Sequence, residues 1–310
     1  MQKETDASAV CNIPFESSVN VMKVRIITGV SCALFAIMLV VFTGLGYQGA
    51  LSIPIGIMGA IAAYEMMRVS KCKNKVLTAA SMVMAVAYPI FIDFNLQQYI
   101  PVPASVILIV YIVVLLAIML KYYEKTKFEY VAFAIFGSLI IPAALSTIFS
   151  VRNLFDDYPE IFQRSHSVYL ILFAMFSAWI SDTFAYFVGS KFGKHKLAPK
   201  ISPKKSVEGA IGGVVGNVIV CVIAFIICDR FFFVTDTLRL WMVIVASPIV
   251  SVLGMMGDLS ASVIKRNFGE KDFGNLFPGH GGVLDRIDSF IVTMPVTYAL
   301  VQILIAFAGK

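Results

Sequence analysis

The chain has 310 residues, of which 59% are hydrophobic and only 14% charged, with a formal net charge of +6. So apolar a composition excludes an ordinary water-soluble domain and points to an all-α, polytopic integral membrane protein. The basic excess does not call for a nucleic acid partner, because the cations fall in short loops between apolar segments, where they act as a topology signal.

The first 22 residues are polar and lack the short apolar core of a secretory signal. Nine segments of membrane-crossing length follow, at about 25–46, 48–67, 76–94, 102–121, 129–149, 167–190, 207–228, 240–264 and 283–308. Lys and Arg crowd alternate loops, and only Arg152, Arg164, Arg230, Arg239 and Lys310 fall on the opposite side. That bias predicts a cytoplasmic N-terminus and an outer C-terminus, with the acidic loop Asp156, Asp157, Glu160 outside. Residues 1–150 read as about five structural, lipid-facing or oligomer-forming helices. Within them, Glu65 in the string AAYEMMR reads as a helix-end acid paired with Arg68 at i, i+3. The five cysteines show no metal-ligand spacing, and Cys32, Cys221 and Cys228 in apolar runs read as small buried hydrophobes.

Residues 151–310 carry the chemistry, with cytoplasmic loops expected at 191–206 and 265–282. His166 and His195 read as loop residues. Asp182 lies inside the sixth span, in SAWISDTFAYFVGSKFG; a carboxylate this deep needs a partner or a cavity, and it reads as the lining of a polar pocket. The loop KFGKHKLAPKISPKKS ends in Lys204, Lys205 and Ser206. It can anchor to anionic lipid or form a phosphate-binding corner, with Ser206 as a helix N-cap. Gly209, Gly212, Gly213 and Gly216 behind it allow close helix packing.

Asp258, Ser262 and Lys265 are spaced i, i+4 and i+7, which puts them on one helix face. From Ser262 to Asp288 the chain reads SVIKRNFGEKDFGNLFPGHGGVLDRID. This stretch gathers the acids Asp272, Asp285 and Asp288, the cations Lys265, Arg266, Lys271 and Arg286, and the turn His280-Gly281-Gly282. Asp285 and Asp288 share a face at i, i+3 and open the last span, while Arg286 points elsewhere. One reading is acids favourably placed in a helix's first turn. The other starts from the glycine turn, which would present backbone N–H groups to an anion. Acids beside a bound phosphate repel it unless a divalent cation lies between, so the combination implies a metal-bound phosphate. His280 is a metal ligand or a turn residue touching phosphate or base; with no second His or Cys nearby the latter is favoured.

The string Ser262-x-Ile264-Lys265-Arg266, then Lys271-Asp272, Pro278, His280-Gly281-Gly282 and Asp285-Arg286-Ile287-Asp288 resembles the signature of the phosphatidate cytidylyltransferases, the CDP-diacylglycerol synthases. The Asp182 segment and SPKKSVEGAIGG resemble that family too, so the likeness covers roughly residues 175–290. It implies CTP and phosphatidic acid as substrates, CDP-diacylglycerol and pyrophosphate as products, and Mg²⁺ as cofactor. It implies Asp258 and Asp285 as Mg²⁺ ligands with Asp288 close by, and a catalytic group of these three with Lys265 and Arg266. Substrate contacts are expected from Asp182, Lys204, Lys205, Ser206, Ser262, Lys271, Asp272, His280, Gly281, Gly282 and Arg286. The expected setting is the cell membrane, the inner one in a bacterium, with the site facing the cytoplasm and a homodimer allowed. The alternative is a CTP-dependent enzyme acting on another lipid, an isoprenoid lipid phosphate or a polyprenol. A transporter would need intramembrane acids and broken helices in both halves, and the polar residues lie only in the second.

Overall fold

A computed structural model describes residues 49–233, 238–277 and 281–308, with scattered positions between 29 and 44. The first expected span therefore lies largely outside the described residues, as do Cys11, Cys32, Pro278 and His280. The described chain is mainly helical: α1 Ser52–Val69, α2 Lys75–Asp93, α3 Ala104–Lys121, α4 Phe128–Arg152, α5 Arg164–Phe192, α6 Val207–Phe231, α7 Leu240–Asn267 and α8 Phe290–Ala308. Single helical turns at Leu154–Asp157 and Leu284–Ile287 precede α5 and α8.

Among the described residues seven helical segments are long and apolar enough to cross a membrane, and they coincide with the third to ninth expected spans. α1, at the second, is an 18-residue helix but is less apolar, since Glu65 and Arg68 sit in its last turns. Local chemistry sets several ends. The Asn74 side chain accepts from Val76 N and Leu77 N at 3.0 and 3.2 Å and so caps α2, while its amide donates to Thr126 ahead of α4. Within α4, residues Phe136–Ile140 widen into a π turn directly before Pro142. Proline offers no N–H to the carbonyl four residues back, and the widened turn absorbs the misfit.

The loop at 191–206 is not irregular. It folds into an antiparallel hairpin of β1 Lys196–Ala198 and β2 Ser202–Ser206, an addition to the all-α expectation. Pro199 starts the reversal, which Ile201 N closes on Ala198 O at 3.1 Å. Glu208 then pins the hairpin to α6: its carboxylate accepts from the Lys194 and His195 amides and meets His195 Nδ1 at 2.6 Å.

Helices α5 and α6 pack through glycine. A Cβ at Gly209 or Gly213 would sit 2.7 Å from a backbone carbonyl of α5, that of Ala185 or Ser181, and one at Gly216 would enter the Phe184 ring. In lipid, where apolar surface gains nothing from leaving the solvent, such close backbone approach drives association. Polar pairs finish the seam to α7: Ser181 Oγ lies 2.8 Å from Ser251 Oγ, and Asn217 donates to Ser247 O at 3.0 Å. At the opposite end from the hairpin, Arg152 of α4 meets Asp93 of α2 at 2.6 Å.

Candidate active site

The end of the bundle that carries the hairpin holds two polar clusters. The first is built around Asp285. Lys265, near the end of α7 and only 8% exposed, donates to Asp285 Oδ1 at 2.8 Å and lies 5.2 Å from the centre of the Phe273 ring. Asp285 Oδ2 accepts from Phe273 N at 2.8 Å and Gly282 N at 2.9 Å. Phe277 N reaches Gly281 O at 2.9 Å, so the loop folds back on its own carboxylate. Gly281 has φ +85°, a conformation that costs glycine little, and a Cβ there would meet Asp285 Oδ2 at 2.8 Å.

Glu65 is the residue that sequence reasoning misplaced. It does not serve as a helix-end acid paired with Arg68. It is buried, 3% exposed, and its two oxygens accept from Val283 N at 3.0 Å and Leu284 N at 2.8 Å. Gly274 and Gly282 flank this carboxylate so closely that a Cβ on either would collide with it. The amides of Gly282, Val283 and Leu284 therefore do not face an open anion site. Protein carboxylates take them, because a buried helix start must have its N–H groups paired and a fixed internal acceptor does so without desolvating a ligand. A local reading of the sequence had no signal for this beyond one acid in an otherwise apolar run.

The second cluster joins residues of α5, β2, α7 and the stretch just before α8. Asp258 of α7 forms an ion pair with Lys205 at the end of β2. Its charge reaches both Asp182 of α5 and Asp288 just before α8. Asp182 also lies in the fields of Lys205 and Arg286, and Asp288 in those of Lys265 and Asp182. Asp182 is exposed and has these charges around it. Asp288 Oδ1 accepts from Ser289 N at 2.8 Å.

The remaining expected residues lie around these clusters. Ser206 caps α6 by accepting from Gly209 N at 3.1 Å and is buried. Arg266 donates to Glu270 O at 3.0 Å and approaches Ile201 O at 3.5 Å, tying α7 to the hairpin. Ser262 is half-buried; Lys204, Lys271, Asp272 and Arg286 are exposed. His280 lies outside the described residues. His166 departs from the loop expectation: it is fully buried in the first turn of α5, where its Nδ1 accepts from Gln163 N at 3.1 Å. Among the described residues no three His, Cys, Asp or Glu side chains converge tightly enough to hold a metal by themselves.

Comparison with known proteins places the sequence among proteins of one kind. Residues 23–304 match the sequence model of the Cytidylyltransferase family. A Bacillus subtilis (strain 168) protein named phosphatidate cytidylyltransferase is 31% identical over 284 residues, covering 91% of this chain and 98% of that protein. Proteins of the same name from Staphylococcus haemolyticus and Staphylococcus saprophyticus are 37% identical over 139 and 141 residues. In those two cases the chain spans about half the length of the relative, 49% and 52%.

Proposed function

The chain belongs to the cytidylyltransferase family, and on that premise we propose that it transfers CMP from CTP to phosphatidate, giving CDP-diacylglycerol and pyrophosphate. The observation that carries this reading is the ring of charges at the end of α5, α7 and α8. There the Lys205–Asp258 ion pair lies near Asp182 and Asp288, with Arg286 acting on Asp182 and Lys265 on Asp288. Two polyanions must be brought together for this reaction, and such a ring supplies both the cations that hold phosphates and the acids that hold a metal.

Mg²⁺ fits this donor set. The ion favours hard oxygen ligands and takes one or two carboxylates, completing its shell with water and substrate phosphate, so a closed three-acid cage is not required. Asp258 has one oxygen without a hydrogen-bond partner among the described residues, and Asp285 Oδ1 accepts a single bond from Lys265. Asp258 and Asp285 would hold the ion, with Asp288 adjoining. Bound there, Mg²⁺ would neutralise phosphate charge and help align the triphosphate.

The protein's own residues do the rest. A phosphate monoester is already largely ionised near neutral pH, its second pKa being about 6. The attacking oxygen of phosphatidate therefore needs no general base, and no histidine is required at the site. Attack on the α-phosphorus forms the new P–O bond as the α–β bridging P–O bond breaks, and both electrons leave with pyrophosphate. Lys205 and Lys265 hold the phosphates and offset the charge that grows on the leaving group, and exposed Lys204, Arg266 and Lys271 draw CTP toward them. The lipid tails stay in the bilayer beside α5 to α7.

The orientation follows the same reading: N-terminus and site cytoplasmic, nine spans, in a bacterial inner membrane. The position of a radiolabel tests the reaction class. Membranes carrying the chain are expected to pass α-phosphorus label from CTP into lipid only when phosphatidate is supplied. Transfer of γ-label instead would mark a lipid kinase and overturn the proposal, as would a requirement for an isoprenoid acceptor.

A further inference from the structure

We infer that Glu65, on a helix from the half of the chain that carries no other part of the site, is a positioning residue for the reaction: it fixes the turn that presents Asp285. The inference rests on the cytidylyltransferase reading above for its catalytic consequence, though not for its geometry.

Three observations converge. First, both Glu65 oxygens are committed to consecutive amides, Val283 and Leu284, which immediately precede Asp285. Second, the space for the carboxylate is made by two glycines from separate parts of the loop, Gly274 and Gly282, neither of which tolerates a Cβ beside it. Third, Glu65 and Asp285 divide the same short stretch of backbone: Asp285 takes Phe273 N and Gly282 N, Glu65 the next two amides. Each carboxylate thus holds one side of the turn. With Glu65 removed, two buried donors lose their acceptors and the remaining side-chain bonds to the turn come only from Asp285, the group being positioned.

An alternative role, a local charge pair with Arg68, predicts something different. Arg68 is exposed and adds only its field to Glu65. Its loss leaves the turn bonds intact.

The test combines hydrogen exchange with kinetics on the full chain in nanodiscs. In Glu65→Ala, amides in the peptide spanning 281–288 should exchange at least about tenfold faster, the scale set by unpairing buried donors. Peptides from α6 should not change. Glu65→Gln keeps the shape and one acceptor, so it guards against simple misfolding; it should show intermediate exchange. CDP-diacylglycerol formation should fall through kcat by about 10–100-fold in Glu65→Ala, since small misplacements of a reacting assembly have that effect. The Mg²⁺ concentration for half-maximal rate should rise, and the KM for phosphatidate should hold. Arg68→Gln should match wild type in both exchange and rate. Unchanged exchange at 281–288 in Glu65→Ala, or a rate above half of wild type, overturns the inference. If wild type makes no CDP-diacylglycerol while Glu65→Ala still frees the turn, the positioning role stands and the reaction assignment falls.

Discussion

Gly282 shows how much rests on a single missing methyl. Its amide feeds Asp285, the two following amides feed Glu65, and a Cβ at this position would land on the Glu65 carboxylate. Gly282→Ala should therefore reproduce the loss of Glu65, cutting turnover by about tenfold or more while the protein still inserts, since displacement of a buried acceptor leaves donors unpaired. Turnover and exchange of the 281–288 peptide would check it; wild-type values in both would contradict it. Asp285 is a poorer probe of metal binding, because its replacement frees Lys265 and two amides at once. Asp258, Asp285 and Asp288 could be singled out in the sequence because their spacings to nearby polar residues are local facts about a helix. Glu65 could not, because its partners lie 218 and 219 residues away.

Among the elements, α5 and α6 were correctly anticipated, and so was the role of their glycines. The seam of Gly209, Gly213 and Gly216 against Ala185, Ser181 and Phe184 brings the chains within backbone contact. Gly213→Val should push α6 off the Ser181 carbonyl, break the Ser181–Ser251 pairing behind it and lower the thermal midpoint in detergent by several degrees. Scanning light-unfolding of the variant beside Gly213→Ala would show the trend, and a valine variant as stable as wild type would refute the packing account. The hairpin was invisible to the same reasoning. Its strands have three and five residues, no apolar alternation and one proline, with a second in the turn, all of which look like loop. It is held at its base by Glu208, on the first turn of α6, which accepts from the Lys194 and His195 amides. The π turn before Pro142 was likewise beyond a pattern that registers only apolar length.

Over the whole molecule, apolar run length set the number and place of the described spans, seven of which appear as membrane-length helices. What it could not convey is that the two halves share one site. α1 reads as one more anchor by composition, yet it reaches the Gly-Gly turn through Glu65, and Phe133 of α4 packs edge-on to Phe268 after α7 at 5.1 Å. The proposed orientation puts this shared end in the cytoplasm. With Cys11 and Cys72 replaced beforehand, a cysteine at exposed Asn275 should react with an impermeant maleimide in inside-out vesicles and be protected in right-side-out ones. Labelling from the outer face would invert the topology.

Under the proposed reaction, the charged cluster around Asp258 joins CTP to phosphatidate. The most direct measurement is product formation by purified protein given CTP, phosphatidate and Mg²⁺, for wild type and Asp258→Asn side by side. CDP-diacylglycerol and pyrophosphate should appear in equal amounts, vanish with EDTA, and fall by about 10²-fold or more in the variant, the loss typical of removing one preorganised electrostatic group. No CDP-diacylglycerol from wild type, or an Asp258→Asn rate within tenfold of it, would contradict the account.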